Sequence, residues 1–312
     1  MTPASPVLIF DRPLLGARRR RAAKLGPSAF LLERAAQELS ERLATVLRQF
    51  DRAVDLGTPG NAVKRALVRS GKVGIIVSAA PCTANVMTRT EPNGTRDADD
   101  GPAIIADQEV LPFREGSLDL VVSALSLQFA NDLPGALVQI RRALKPDGLL
   151  LAALAGGDTL TELRQCFAAA EIETQGGISP RVIPFLDVRE AGALLHRAGF
   201  ALPVADVDRV IVRYSSAIAL MHDLRAMGAT NPLVERSRRA LRRATLARVV
   251  QIYADRFSDP DKRIRATFEI VWLSGWAPHP AQQKPLAPGS AKRRLADALG
   301  VKEIPAGERT GS

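Results

Sequence analysis

Residues 118–155 read LDLVVSALSLQFANDLPGALVQIRRALKPDGLLLAALA, and this stretch decides the fold class. The apolar run from Leu118 to Leu125 predicts a buried strand, and residues 133–144 have the apolar spacing of a helix. Residues 145–148 predict a turn, because Pro presets φ and Gly tolerates positive φ. Residues 149–155 predict a second buried strand. A strand, a helix and a strand in this order indicate parallel strands joined by a crossover helix.

The same alternation extends towards the N-terminus. Residues 29–49 predict a helix that covers the sheet, with Ser28 as its N-cap. Additional predicted strands lie at 52–56, 73–77 and 104–105. A glycine turn and a helix through Val63 to Val68 follow the first of them, and residues 92–102 are polar enough to be a surface loop. The strands are nearly continuous in apolar content, which indicates a parallel sheet covered on both faces.

The second half of the chain predicts an extension of this sheet. Predicted helices lie at 159–173, 187–197, 215–227 and 233–257, and predicted strands at 200–207 and 264–275. The strand at 264–275 is expected to close the sheet beside the strand at 200–207. We therefore expect three parts: an N-terminal arm at 1–26, one α/β domain at 27–277 with an inserted helical subregion at about 215–257, and a loosely ordered basic tail at 278–312.

Composition excludes several classes of protein. Hydrophobic residues make up 46% of the chain and charged residues 24%, which is typical of a globular protein. The longest apolar run, residues 149–155, is far shorter than the roughly 20 residues of a membrane-spanning helix, so we expect no membrane span. The N-terminus lacks the apolar segment of a secretory signal, and we expect a cytoplasmic protein. Cys82 and Cys166 have no CxxC spacing, which favours reduced, structural thiols over a zinc site or a disulfide.

The net charge of +10 favours acidic or nucleic-acid partners electrostatically. Arginines crowd residues 236–248, and in a helix the pairs 238/242 and 239/243 would lie on one side. This pattern fits either a solvated helix or an RNA-binding face. No aromatic residues interleave with these arginines to stack on bases, so nucleic-acid binding is not expected.

A glycine-containing turn follows the first predicted strand. Residues 53–61 read AVDLGTPGN, which resembles the first motif of class I methyltransferases, an acidic residue followed by Gly-x-Gly-x-Gly after one spacer. Glycines there let the backbone approach a cofactor. Pro59 and Asn61 replace the second and third glycines, and Pro59 removes an N–H donor. The resemblance implies four cofactor-binding residues in this segment: Asp55, Gly57, Thr58 and Gly60.

Several later motifs resemble a narrower group, the methyltransferase-like mitochondrial complex I assembly factor 5 family and its bacterial relatives. That family is related to the malonyl-carrier-protein O-methyltransferases. The similarity covers about residues 10–290. Residues 106–109, 111–113, 118–123, 131–134 and 144–148 resemble the stretch from the third to the fifth strand of class I methyltransferases in general. The segments that resemble the narrower group are residues 156–160, 162–164, 176–177, 179–180 and 184–185, and residues 10–12, 227–228 and 272–276 fit it as well.

The resemblance implies a class I methyltransferase, Rossmann-like α/β fold with a mostly parallel sheet and an antiparallel last strand. It implies S-adenosylmethionine as cofactor, bound at the carboxyl ends of strands one to four. The implied partner is a protein substrate, and the family name points to a subunit of respiratory complex I. Asp107 and Gln108, expected towards the adenine, and Ser123 complete the implied cofactor site. The second strand ends in Val77-Ser78-Ala79-Ala80, without the usual ribose-binding carboxylate, and this loss is worth about 1.5 to 3 kcal/mol.

Residues that follow the fifth strand are candidates for acceptor contact. They are Asp158, Thr159 and Arg164. Asp158 and Thr159 fit N-capping of the next helix equally well. Glu162 and Arg164 cannot share one helix face. In the arm, residues 10–12 fit either a lid over the cofactor or a surface arm. The three histidines, His196, His222 and His279, are too scattered to predict a metal site.

Three functional hypotheses follow. The first is an S-adenosylmethionine-dependent enzyme that modifies a protein side chain, possibly an arginine of a complex I subunit, and so supports assembly of that complex. The second is a non-catalytic assembly factor whose degenerate site binds the cofactor weakly or not at all. The third is an RNA methyltransferase that uses the arginines at 236–248, and charge alone supports it.

Overall fold

A computed structural model describes residues 8–26, 28–81, 101–282 and 295–302. Cys82 and nearly all of the predicted surface loop at 92–102 lie outside the described residues. The chain divides into two compact units, Met1–Pro278 and His279–Ser312. All the strands and the first eight helices described below belong to the first unit.

The first unit is built on one seven-stranded sheet. The strands are β1 (Phe50–Leu56), β2 (Val73–Ala80), β3 (Ala103–Ile105), β4 (Leu118–Ala124), β5 (Leu144–Ala155), β6 (Ala201–Tyr214) and β7 (Ile264–Trp276). Their order in the sheet is β3-β2-β1-β4-β5-β7-β6. The first five strands are parallel, and β7 is antiparallel to both β5 and β6. The predicted fold class, a mostly parallel α/β sheet with antiparallel strands last, is confirmed.

Helices cover both faces of this sheet. They are α1 (Arg12–Leu25), α2 (Phe30–Thr45), α3 (Ala62–Ser70), α4 (Leu133–Ala143), α5 (Thr161–Gln175), α6 (Val188–Arg197), α7 (Ala217–Ala226) and α8 (Arg243–Phe257). Alternate strand residues point to opposite faces. Ala53 therefore packs in the core beneath α2 and α3, whereas Val54 packs in the core beneath α4 and α6. A third core joins α5, α7 and α8 to the N-terminal end of β7, at residues 264–268.

The predicted helix at 233–257 is wrong in its first half, because α8 begins only at Arg243. The preceding segment is held instead by the N-terminal residues. Phe10 forms a β-bridge with Leu233, and Arg236 donates to the carboxylate of Asp11 at 3.0 Å. A helix here would also have stacked arginines at i,i+4, which is unfavourable. The arginine pairs 238/242 and 239/243 therefore do not form one helix face.

Two further local predictions need correction. The predicted turn at 145–148 lies within β5, where the ladder shifts register between the pairs Leu118↔Leu144 and Leu120↔Leu149. Asp147, rather than the glycine after it, has the positive φ of 60°. Ser28 does not cap α2, whose N-cap residue is Ala29 without any side-chain capping bond.

Most of the predicted N-terminal arm is the regular helix α1. The side chain of Asp11 accepts a hydrogen bond from the amide of Leu14, and Pro13 lies in the first turn, where a missing N–H costs nothing. Leu15 and Ala22 are buried. Residues 12–25 are thus packed against the rest of the first unit.

The second unit contains one short described helix, α9 (Leu295–Leu299). Throughout the described part of the chain, no helix combines the length and apolar character that crossing a bilayer requires.

Candidate functional site

A cavity of about 610 Å³ lies at the carboxyl ends of the central strands. Its wall includes Pro59 after β1, Leu125 after β4 and Ala155 at the end of β5. Helix α1 and the segment Met227–Ala229 enclose it from the other side. Ligands of open α/β sheets bind at this end of the strands, so the cavity is the candidate functional site.

The loop between β1 and α3 forms one wall of the cavity. Gly57 has a φ of 73°, and its amide donates to the carbonyl of Ala79 at 2.6 Å. A Cβ on Gly57 would lie 2.5 Å from Ser126 Oγ, so this glycine permits tight packing of the loop on the chain after β4. Gly60 has a φ of 70° and lies on the cavity wall with open space where its Cβ would be.

Several predicted cofactor residues are buried and bind other parts of the protein. Ala124 N–H donates to the hydroxyl of Thr58 at 3.0 Å, and the hydroxyl of Ser123 donates to the carbonyl of Leu56 at 2.8 Å. These bonds join β1 to β4. Asp55 is buried in β1 with 2% of its surface exposed. These three residues are absent from the cavity wall and support the loop from within.

Asp107 and Gln108 follow β3 but have different surroundings. The guanidinium of Arg12 makes two hydrogen bonds to the carboxylate of Asp107, at 2.8 and 2.6 Å. Burial would raise the pKa of Asp107, but the bonds from Arg12 and from the amide of Glu109 outweigh burial and lower the pKa. Gln108 is buried and accepts a hydrogen bond from the hydroxyl of Ser126 at 3.0 Å.

The structure separates the three predicted acceptor residues. Asp158 is exposed and pairs with Arg209. Thr159 is buried on the cavity wall, where its hydroxyl donates to the carbonyl of Glu269 and accepts from the amide of the same residue, both at 3.0 Å. Arg164 donates to the carbonyl of Thr159 at 3.4 Å. Of the three, only Thr159 lies on the wall.

The expectation that Asp158 or Thr159 caps the next helix is wrong. Leu160 is the N-cap residue of α5, with a φ of 57° and no side-chain capping bond. Glu162 in the first turn points inward and accepts hydrogen bonds from the amide and hydroxyl of Thr267, at 3.0 and 2.5 Å.

Two side-chain amides on the cavity wall, those of Asn61 and Gln128, were not predicted from the sequence as site residues. The oxygens Asn61 Oδ1 and Gln128 Oε1 are buried and have no hydrogen-bond partner among the residues that the structure describes. Asn61 lies within the glycine motif, where it was seen only as a replaced glycine. Gln128 lies in a 3-10 turn after β4 and belongs to no motif, so no signal in one sequence identifies it.

The residues 10–12 hold the N-terminus against the site. The ring of Phe10 meets that of Phe129 edge to face at 5.9 Å, and Phe129 lies on the cavity wall. Asn131 accepts hydrogen bonds from the amides of Ile9 and Phe10. Together with Arg12, these contacts fix the start of α1, whose later residues Arg19, Ala22 and Ala23 lie on the cavity wall. Whether residues 10–12 act as a lid stays a prediction.

Among the residues that the structure describes, no three His, Cys, Asp or Glu side chains come together as a possible metal site.

Comparisons with known proteins agree with this architecture. The family model described as a methyltransferase domain matches residues 54–152. The "Arginine-hydroxylase NDUFAF5, mitochondrial" of Danio rerio is 35% identical over 294 residues, which cover 93% of this chain and 89% of that protein. A malonyl-[acyl-carrier protein] O-methyltransferase of Laribacter hongkongensis is 41% identical over 189 residues, 60% of this chain and 61% of that enzyme.

A solved structure supports the fold alone. The crystal structure of a putative methyltransferase from Bacillus halodurans covers 78% of this chain and 99% of its own, with a TM-score of 0.53 and 14% identity. The relatives, in contrast, are similar enough in sequence and coverage to show the family. This chain belongs to the NDUFAF5 family, within the class I S-adenosylmethionine-dependent methyltransferase superfamily.

Proposed function

We propose that this chain binds S-adenosylmethionine and modifies a side chain of a protein, an arginine of a respiratory complex I subunit, and so supports assembly of that complex. The observation that carries the proposal is the enclosed cavity at the carboxyl ends of β1, β4 and β5. The name of the zebrafish relative, an arginine-hydroxylase, supports arginine as the acceptor.

The residues present fit the cofactor. The cavity volume lies within the roughly 300 to 1,000 Å³ of small-molecule sites. Asn61 Oδ1 and Gln128 Oε1 are acceptors that no group in the described part of the chain satisfies, and the cofactor carries amino and hydroxyl donors. Gly60 presents backbone without a side chain at the same wall.

S-adenosylmethionine, when bound, supplies an electrophilic methyl group. The protein's own contribution is positioning, because an oriented acceptor needs few additional catalytic groups. Helix α1 and residues 227–229 line one side of the cavity and reduce its opening to solvent. Thr159, in the segment between β5 and α5, lies on the cavity wall and is the residue there that is predicted to contact the acceptor.

The alternative is a non-catalytic assembly factor, and two observations favour it. No carboxylate occurs from Val73 to Pro81, where the family usually binds the ribose. Asp107, expected towards the adenine, is engaged by Arg12. The RNA methyltransferase hypothesis still rests on charge alone, and the arginines before Arg243 do not lie on a helix. A cytoplasmic location stays a prediction from the sequence.

Calorimetric titration of the full chain with S-adenosylmethionine tests the proposal. We expect saturable binding, weakened about tenfold to a hundredfold by the missing carboxylate. The absence of both heat and a thermal shift at millimolar ligand would overturn cofactor binding. Mass spectrometry of complex I subunits from a deletion strain then tests the modification. A subunit that lacks the mass of one methyl group in the deletion strain indicates methylation, and one that lacks the mass of one oxygen atom indicates hydroxylation. Unchanged subunit masses together with defective assembly support the non-catalytic factor.

A further inference from the structure

Nearly all the net charge of the chain comes from two short segments. Residues 11–25 and 227–243 contain eleven Lys and Arg but only two carboxylates, Asp11 and Glu235, which leaves an excess of nine positive charges. The whole chain has a formal net charge of +10. The remaining nine-tenths of the sequence is therefore close to neutral.

These two segments meet in space. Arg18 Nη1 donates to the carbonyl of Asn231, and Arg236 Nη2 lies 3.0 Å from Asp11 Oδ2. A Cβ on Gly228 would lie 3.2 Å from the Cα of Arg19, so the backbones are in direct contact. Burial lowers the pKa of Arg18, and the nearby charges of Arg236 and Arg21 lower it further. Arginines from both segments therefore share one region, which we call the basic rim (residues 11–25 and 227–243).

The basic rim also borders the candidate site. Arg19, Ala22 and Ala23 of the first segment and Met227, Gly228 and Ala229 of the second lie on the cavity wall. Several arginines of the rim are exposed to solvent: Arg20, Arg21, Arg238, Arg239, Arg242 and Arg243. Like charges placed close together lower the stability of the protein. Such unfavourable arrangements are found mainly at functional surfaces. The exposed arginines are thus available to a partner whose side chain enters the cavity.

We propose that the basic rim is the docking surface for an acidic stretch of the substrate polypeptide, which it steers and holds while the modified side chain enters the cavity. This inference rests on the proposed function, because it assumes a protein substrate. Charge complementarity of this kind raises association rates and fixes the orientation of a partner.

The composition of the rim favours an acidic polypeptide over other anions. The two segments contain no aromatic residue, and single-stranded RNA binding relies on aromatic stacking. Binding to a bilayer surface needs several apolar side chains that enter the interface. Four exposed apolar side chains lie beside these arginines, Leu8, Ile9, Leu25 and Val234, whereas other exposed neighbours, such as Ala17 and Ala240, are small.

Fluorescence anisotropy with the full chain tests the docking surface. The probe is a labelled peptide rich in Asp and Glu with one central Arg, and its comparison peptide has Asn and Gln in place of the acids. The test variant is Arg21→Glu with Arg238→Glu. The matched control is Arg114→Glu with Arg189→Glu, which makes the same change in charge at two exposed positions outside the rim. Circular dichroism confirms that both variants are folded.

We expect the acidic peptide to bind the wild type, and salt to weaken this binding. The rim variant should bind about tenfold or more weakly, while the control stays within about twofold of the wild type. Equal losses in both variants, or equal binding of the neutral peptide, would overturn the proposal. Tighter binding of a single-stranded RNA, or of phosphatidylglycerol-containing vesicles, would overturn it in favour of that partner.

Cofactor binding separates this proposal from the proposed function. Arginine-dependent binding of the peptide, without any binding of S-adenosylmethionine, supports the docking surface and counts against the enzyme. If the protein binds S-adenosylmethionine and the rim variant binds the acidic peptide as tightly as the wild type, the result supports the enzyme and counts against the docking surface.

Discussion

Arg12 and Asp107 form a two-pronged ion pair that ties the first turn of α1 to the chain after β3. The nitrogens Nη1 and Nη2 of Arg12 donate to the carboxylate of Asp107, at 2.8 and 2.6 Å. The side chain of Arg12 is 23% exposed and that of Asp107 is 41% exposed. Residues 95 positions apart are thereby connected. The pair holds the N-terminal helix in the position that encloses the cavity.

The ion pair predicts measurable coupling between Arg12 and Asp107. We expect a double-mutant cycle of Arg12→Ala and Asp107→Asn to give about 1 kcal/mol in urea denaturation, because the geometry is bidentate but partly screened by solvent. The matched control is the pair of Arg34 and Asp208, in which one carboxylate oxygen accepts both bonds and the arginine is 52% exposed. Its coupling should be below about 0.5 kcal/mol. Equal coupling in both cycles would contradict the assigned role of the first pair.

The lowered pKa of Asp107 also predicts how this contribution depends on pH. Burial opposes ionisation, but hydrogen bonds from Arg12 and the Glu109 amide favour it more strongly. The pKa is thus lower in the folded protein than in the unfolded chain, where it is about 3.9. The stability gained is present above that value and is lost as pH falls through the folded pKa. The stability difference between wild type and Arg12→Ala should therefore be constant near neutral pH and shrink below about pH 4. A difference that grows in acid would contradict this sign.

Two glycines of one loop should respond differently to alanine. Gly57→Ala places a Cβ 2.5 Å from Ser126 Oγ at a φ of 73°, so it combines a clash with backbone strain. We expect a loss of more than about 2 kcal/mol in the free energy of unfolding. Gly60→Ala has a similar φ of 70° but open space around the Cβ, and its loss should be about 1 kcal/mol. Urea denaturation measures both, and equal losses would show that packing against Ser126 is unimportant.

The alternating strands and helices of the first half were predictable from sequence because their apolar periodicity is local. The helix predicted to begin at Leu233 was not, since its true partners, Phe10 and Asp11, lie more than 200 positions away in the chain. Strand β6 extends to Tyr214, although the prediction ended it at Val207. The charged residues Asp208, Arg209 and Arg213 interrupt its apolar pattern, and pairing with β7 supplies what the pattern lacks.

The candidate site was predictable only in part. The glycine loop was found because glycines at a strand end have a local conformational meaning. In the structure the hydroxyls of Ser123 and Thr58 bond to backbone groups of β1 and β4. One position along a strand decides whether a side chain faces a ligand or the core, and sequence alone does not fix that position. The walls contributed by α1 and by residues 227–229 depend on tertiary packing, which no motif encodes.

Cys166 should be an inert thiol in the native protein. Its side chain lies on α5 and is fully buried in the core that α5 shares with α7 and α8. Burial raises the pKa of the thiol to about 12. The reactive thiolate is therefore scarce at pH 8. In a Cys82→Ala variant, which leaves Cys166 as the single cysteine, we expect almost no reaction with Ellman's reagent at pH 8. The same variant in denaturant should react with one equivalent. Rapid labelling of the native variant would contradict burial of this side chain.

Two glutamines with different partners separate ligand binding from stability. Gln139 accepts from the amide of Leu111 at 3.0 Å and donates to the carbonyl of Glu109 at 2.7 Å. Gln139→Leu leaves both groups unpaired, and we expect a loss of about 1 to 3 kcal/mol in the free energy of unfolding. Gln128, similarly half-buried, lies on the cavity wall, and its amide oxygen has no hydrogen-bond partner within the described ranges.

Gln128→Leu should therefore leave the stability of the ligand-free protein unchanged or raise it, because it removes a buried acceptor that nothing satisfies. If that oxygen binds S-adenosylmethionine, the same substitution weakens the affinity by about tenfold, the value of one hydrogen bond. Gln139→Leu should change the affinity little, measured by calorimetry at a temperature where both variants are folded. Unchanged affinity in Gln128→Leu, together with lower stability, would show that this amide supports the protein instead of binding the cofactor.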